Sequence, residues 1–213
     1  MTVADPTLDL ERELLDAGAD VVVGCDEVGR GALAGPVAVG AAAVTARTGV
    51  WPAGLRDSKM LTDRRRHALV APLRAWAVGW RVAAVDSARI DAEGIVACLR
   101  AAAVDAVTGV LAGLSRDARV AVILDGTADW LSEGLAGERD VMVRVRAKAD
   151  RDCASVAAAS VLAKVWRDDL MVELAVAHPG YGWEHNRGYG SAQHRAAITR
   201  LGPSPLHRRT WLH

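Results

Sequence analysis

Four carboxylates stand out because each falls where a regular element should end. Asp26 and Glu27 close the apolar run Val21-Val22-Val23-Gly24-Cys25, and Gly29-Arg30-Gly31 follows at once. Asp125 closes a second run, Val122-Ile123-Leu124, just before Gly126. Asp150, in Lys148-Ala149-Asp150, stands at the entry to a long Ala-rich segment. Open α/β sheets collect their sites at such termini. Oxygen ligands suit hard divalent cations, and four carboxylates can hold two cations about 3.5–4 Å apart, the arrangement for in-line phosphodiester displacement. Crowded carboxylates repel one another without that charge, so a metal-dependent site is expected. Gly29 and Gly31 let a ligand approach the main chain closely, with the Arg30 guanidinium held between them for a phosphate. Adjacent side chains on a strand point to opposite faces, so Asp26 and Glu27 share a site only if the strand bends or ends there. Singly, each acid has a plainer role: a solvated turn for Asp26-Glu27, an Asp-Gly turn for Asp125, a helix N-cap for Asp150. The coincidence of all four argues for a site.

Other chemistries lack their patterns. Gly29-Arg30-Gly31 does not continue into G-x-G-x-x-G, and no Walker loop is present. Six histidines show no H-E-x-x-H spacing. His67 reads as a surface residue, while His194 and His207 are open between structural roles and phosphate contact. Three cysteines, Cys25, Cys98 and Cys153, form no C-x-x-C pair, which argues against a disulfide framework or a zinc site. With 51% hydrophobic residues and no long apolar span or signal peptide, a cytoplasmic protein with reduced thiols and no membrane partner is expected. Net charge is zero, yet residues 1–27 carry −7 and residues 184–213 carry +4. That asymmetry allows a basic C-terminal face of Arg187, Arg195, Arg208 and Arg209.

The elements that must position these groups follow from periodicity and punctuation. Asp5-Pro6 reads as an N-cap and first helical turn, opening a helix to about Ala17. Strands are expected at 20–25, 36–44, 79–85, 119–124 and 140–146. Thr62-Asp63 caps a basic helix to about Val78, and a helical stretch from Ser87 or Asp91 to about Leu114 has a break at Gly94. A helix spans Ala154–Ala177 and stops at His178-Pro179-Gly180. Residues 179–190 form a Gly- and Tyr-rich loop, and Ser191 opens a last helix to about Leu201. The order suits a mixed sheet with helices on both faces. The expected organisation is an N-terminal helical extension (1–19), a catalytic domain (20–178), and a C-terminal substrate-binding loop and helix (179–213) packed on it.

These segments resemble type 2 ribonuclease H of bacteria from about Val21 to Trp211. The resemblance is carried by 24–37, Leu55-Arg56-Asp57-Ser58-Lys59, Leu124-Asp125-Gly126, Lys148-Ala149-Asp150, 156–164, Asn186-Arg187-Gly188-Tyr189-Gly190 and His207-Arg208-Arg209, in the family's order. It implies a ribonuclease H-like α/β fold, a five-stranded mixed sheet flanked by helices, with a C-terminal helical extension. It implies catalytic, metal-holding roles for Asp26, Glu27, Asp125 and Asp150, served by two divalent cations, Mg²⁺ or Mn²⁺. Gly29, Arg30 and Gly31 would grip the backbone beside a ribonucleotide, and Tyr189 would pack against its sugar. Lys59, Lys164 and Arg187 are further expected substrate-binding residues. The family often has Lys where Arg187 stands, a change that keeps charge but alters phosphate geometry.

The implied activity is cleavage of RNA in RNA/DNA hybrids and incision 5′ of single ribonucleotides embedded in duplex DNA, leaving 3′-hydroxyl and 5′-phosphate ends. A monomer is expected. Two other readings compete. Type 3 ribonuclease H has similar acids but a larger N-terminal domain, for which the twenty residues before the first strand leave no room. A non-catalytic RNA-DNA junction-binding protein would need an acid replaced, and all four are present.

Overall fold

The computed structural model describes residues 5–137 and 140–212. Its strands are β1 (Val21–Val28), β2 (Val37–Val44), β3 (Gly79–Val85), β4 (Val120–Asp125) and β5 (Val141–Arg146). Its helices are α1 (Asp9–Asp16), α2 (Asp63–Trp76), α3 (Ser87–Glu93), α4 (Ile95–Leu111), α5 (Ser132–Leu135), α6 (Ala149–Asp152), α7 (Ala154–Ala177), α8 (Trp183–Asn186) and α9 (Ala192–Leu201). The strand order is β3-β2-β1-β4-β5. β1–β2 and β2–β3 pair antiparallel, and β1–β4 and β4–β5 pair parallel. The mixed five-stranded sheet is thus as expected.

Alternation along the strands divides the core. Val21, Val23 and Cys25 face α4 with Val120, Val122 and Leu124. Val22, Ala121 and Ile123 face α7, backed by α1 and α2. Small residues set the distance on the second side. A Cβ on Gly24 would strike the main chain at Ser155 and Val156, and one on Gly40 would strike the Ala159 carbonyl. The Ala-rich face of α7 therefore lies directly on β1 and β2, and it carries Ser160 and Lys164 to the end of β1.

Several expected boundaries move. Asp5 does not cap α1, which begins at Asp9, where the Thr7 hydroxyl accepts the amide at 3.2 Å. Asp5 instead accepts from Arg56 Nε at 2.8 Å. β1 continues past Asp26 and Glu27 to Val28, held by pairing of Asp26 with Gly40 and Glu27 with Val39. α4 stops at Leu111, and the break at Gly94 is present, with φ 83°. Asp150 is not the N-cap of the long helix. It lies in the separate short α6, and Cys153 precedes α7 without any side-chain cap.

The missing cap comes from the N-terminal segment. Glu11 Oε1 accepts from the Ser155 amide at 2.8 Å and the Ser155 hydroxyl at 2.7 Å, and Thr7 O accepts from the Ala154 amide at 2.8 Å. A carboxylate at a helix N-terminus satisfies orphan donors and complements the dipole.

Candidate active site

β1 and β4 run parallel, with Cys25 beside Leu124, so Asp26 and Asp125 arrive together at the same sheet edge. By alternation both lie on the α7 side, and Glu27 lies on the other. Edge position lets Glu27 act on them all the same, because its charge is felt at Asp26 and Asp125 is felt at Glu27. The Asp125 side chain accepts from the Ala149 amide at 2.7 Å, which fixes α6 against β4 and brings Asp150 alongside. All four sequence-predicted acids therefore converge.

Electrostatically this cluster is unfinished. Burial, and then the charges of Glu27, Asp125 and Asp150, push Asp26 up to about 8, with the Ser160 hydroxyl pulling the other way. Burial raises Glu27 as well, with Arg30 opposing and Asp125 adding to the rise. Burial and Asp150 raise Asp125. Two side chains supply positive charge. Lys59 Nζ lies 3.1 Å from Asp150 Oδ2, and Arg30 reaches Glu27 Oε1 at 3.5 Å. Burial disfavours the Lys59 ammonium, but the bond to Asp150 and its charge prevail, and the lysine's pKa is raised.

An all-oxygen donor set short of positive charge fits a hard divalent cation. Among the described residues, no group of three His, Cys, Asp or Glu is arranged to hold a metal ion alone. Mg²⁺ commonly takes one or two carboxylates and completes its shell with water and substrate phosphate, so this spacing agrees with a site finished by substrate.

Beside the acids opens a cleft of about 370 Å³, lined by Asp26, Glu27, Val28, Gly29, Arg30, Gly31, Ser58, Lys59, Ser160, Lys164 and Tyr189. Two larger clefts, near α2 and between α2 and α7, hold no such cluster, so chemistry rather than size selects the site. The two glycines of Gly29-Arg30-Gly31 differ. Gly29 has φ 81°, and a Cβ there would collide with the Arg167 guanidinium. A Cβ on Gly31 would meet nothing within 4 Å, so its missing side chain leaves room for a ligand.

Tyr189 comes from the turn after α8. Its hydroxyl accepts from the Gly29 amide at 3.2 Å, leaving its own proton free to donate outward. Arg167 and Lys164 stand over its ring, 5.3 and 5.7 Å from the centroid. Lys164 is held by Asp168 at 2.8 Å, an i,i+4 pair on α7. Arg187, in the left-handed region at φ 52°, does not line the cleft: its Nε lies 3.9 Å from Asp168 Oδ2.

The basic C-terminal face needs correction at Arg208, which is fully buried. Its guanidinium donates to the carbonyls of Arg30 at 2.7 Å, Gly29 at 2.6 Å and Gly35 at 3.2 Å. Arg167, equally buried, donates to Pro36, Arg187 and Ala34 carbonyls at 2.8, 3.0 and 3.1 Å. Arg195 and Arg209 remain exposed. His194 and His207 are structural, buried against each other. Residue reading missed Arg167, Asp168 and Ser160 as site-building groups; only the Lys164–Asp168 spacing signalled any of them.

A mixed sheet of this order, with carboxylates meeting at its edge beside a glycine-arginine cleft, defines a ribonuclease H-like hydrolase. The family model for Ribonuclease HII matches residues 23–213. A Ribonuclease HII of Streptomyces avermitilis is 44% identical over 212 residues, covering 99% of this chain and 85% of that one. The crystal structure of ribonuclease H2 from Pyrococcus horikoshii OT3 superposes with a TM-score of 0.70 at 26% identity, covering 90% of this chain and 93% of that one. Bst-RNase HIII in complex with Mn²⁺ gives 0.63 at 23% identity, with 86% of this chain and 62% of that one covered, a likeness of fold. The chain belongs to the ribonuclease HII family, endonucleases that hydrolyse RNA in RNA/DNA hybrids. The type 3 and non-catalytic readings are thereby disfavoured. No helix among the described residues is long and apolar enough to cross a membrane.

Proposed function

We propose that Asp26, Glu27, Asp125 and Asp150 are the catalytic carboxylates and hold two divalent cations, Mg²⁺ or Mn²⁺, when substrate is bound. When bound, the cations supply positive charge for the attacking and leaving oxygens of the phosphodiester. The observation that carries this reading is the convergence of four acids, three with raised pKa, at one sheet edge. Lys59 holds Asp150 in place and adds charge near the phosphate. Arg30 sets the register of the nucleic acid through a neighbouring phosphate. The substrates are RNA/DNA hybrids and duplex DNA carrying single ribonucleotides, incised on the 5′ side to leave 3′-hydroxyl and 5′-phosphate ends.

Discrimination of ribose rests on the 2′-hydroxyl, both donor and acceptor. Gly31 admits the sugar to the main chain, and the outward proton of Tyr189 is available to the 2′-oxygen while its ring packs on the sugar. Lys164 stands behind that ring, and Arg187, through Asp168, steadies Lys164.

The test uses a DNA duplex with one ribonucleotide and a long hybrid, each with Mg²⁺, Mn²⁺ or excess chelator, and maps the cut ends. Metal-dependent cuts with 3′-hydroxyl ends are expected. Full activity in chelator would sink the metal-holding role.

A further inference from the structure

A hydrogen-bonded chain of buried rings runs behind the Tyr189 turn, and its proton positions can be read from the partners. The Ser204 amide can only donate, so His207 Nδ1 accepts it at 2.9 Å, and the Ser204 hydroxyl also lies 2.9 Å from that nitrogen. The remaining ring nitrogen, Nε2, must then carry the proton of neutral His207. It faces His194 Nε2 at 3.1 Å. His194 Nε2 also receives the Trp183 indole N–H at 2.9 Å. With that nitrogen an acceptor, the proton of His194 sits on Nδ1, which donates to the Tyr189 carbonyl at 2.9 Å. Each link fixes the tautomer of the next.

The surroundings keep the chain neutral. His194 is fully buried and His207 is 1% exposed. Burial, and then the proximity of His194, hold His207 down to about 4, and burial lowers His194 as well. Tyr181 lies edge-on to His207 at 4.8 Å and stacks on Trp183 at 5.3 Å. The chain ends at Tyr189, whose carbonyl takes one further bond, from the Ser191 amide at 2.8 Å. The same residue's hydroxyl meets Gly29.

We infer that the neutral His194–His207 pair is a positioning element for ribose recognition: it anchors the Tyr189 carbonyl and so sets the ring and hydroxyl over Gly29. His194 touches no substrate and acts through Tyr189. The inference rests on the role proposed for Tyr189, and the experiment separates the two.

Two substitutions split donation from bulk. His194→Asn places an amide donor near the position of Nδ1, whereas His194→Gln places its amide near Nε2 and loses the donation. Incision of a one-ribonucleotide duplex is measured under single-turnover and steady-state conditions, beside melting temperature, alone and combined with Tyr189→Ala. If the pair positions Tyr189, His194→Gln slows incision about tenfold, the scale of a small misplacement. His194→Asn retains more activity than His194→Gln despite its smaller side chain. Neither lowers the rate further in the Tyr189→Ala background, as a shared route requires. Equal losses for Asn and Gln, a better Gln, or losses that persist beside Tyr189→Ala would overturn the inference. A normal rate for Tyr189→Ala alone would instead overturn the role of Tyr189. Should both His194 variants fail to fold, the ring ¹⁵N shifts of His194 in the wild type decide, read beside the rate of Tyr189→Ala: a proton on Nδ1 supports the anchor to the Tyr189 carbonyl, and a proton on Nε2 refutes it.

Discussion

The two sides of the cleft are built on opposite principles. On the carboxylate side, Asp26, Glu27 and Asp125 are driven toward protonation by burial and by one another, and Lys59 and Arg30 offset only part of that. On the glycine side, carbonyls of Gly29, Arg30, Ala34, Gly35 and Pro36 all receive guanidinium donors from Arg208 or Arg167. One side is short of positive charge, and the other has its polar groups satisfied in advance. A buried carboxylate cluster short of positive charge favours a bound cation, whereas a loop whose carbonyls are already bonded has its geometry set beforehand. Mutations should therefore separate, with chemistry lost on one side and order lost on the other.

The largest expected effect is at Asp125. Asn keeps an oxygen for the Ala149 amide and removes a charge, so Asp125→Asn should lower turnover by about 10²-fold or more with little change in melting temperature. Near-normal rates at ordinary Mg²⁺ would remove Asp125 from the catalytic set.

Next comes stability on the same side. With a folded pKa of about 8 against an unfolded value of 3.8, Asp26 favours folding fully below the unfolded value, and that contribution disappears as pH rises through the folded value. The metal-free protein should thus lose stability between about pH 4 and 8. Asp26→Asn should be inactive yet more stable than the metal-free wild type at pH 8, with a much smaller difference at pH 5. Chelator-treated melting curves at the two pH values check this; a pH-independent difference would contradict the buried-charge account.

The glycine side should show a split of its own. Gly29→Ala forces a left-handed residue into Arg167 and should cost about 2–4 kcal/mol of stability. Gly31→Ala should leave stability within about 0.5 kcal/mol but raise KM for substrate roughly tenfold, because its methyl enters the open cleft. Equal melting losses for both would erase the distinction. Smallest is the effect of the exposed Arg30: Arg30→Gln should weaken binding across sequences and reduce the salt slope by about one. An unchanged slope would place that guanidinium away from phosphate.

Much of this architecture was legible from residue order. The bounds of β3 and α7 follow from periodicity and from Gly and Pro punctuation, and the interruption at Gly94 follows from a glycine within a helical run. The four acids were legible because strand termini are a local signal. Long-range partners were not. α7 begins without a local cap because Glu11 reaches it across the chain, and Asp150 looked like that cap because α6 is only a few residues long. β1 outlasts its apolar run because pairing with β2 holds Asp26 and Glu27 extended. Arg208 read as surface charge, since nothing in its neighbourhood shows that backbone carbonyls of residues 29–35 will surround it.

The central claim is that the carboxylate cluster is completed by divalent cations. Its most direct measurement is the melting temperature of the chelator-treated protein titrated with Mn²⁺ at pH 8, in complex with an all-DNA duplex that supplies phosphate, beside Asp125→Asn. Binding to the folded state alone raises stability with cation concentration. The account predicts a saturable rise of several degrees in the wild type and a much smaller one in Asp125→Asn. No rise in the wild type, or an equal rise in both proteins, would contradict it.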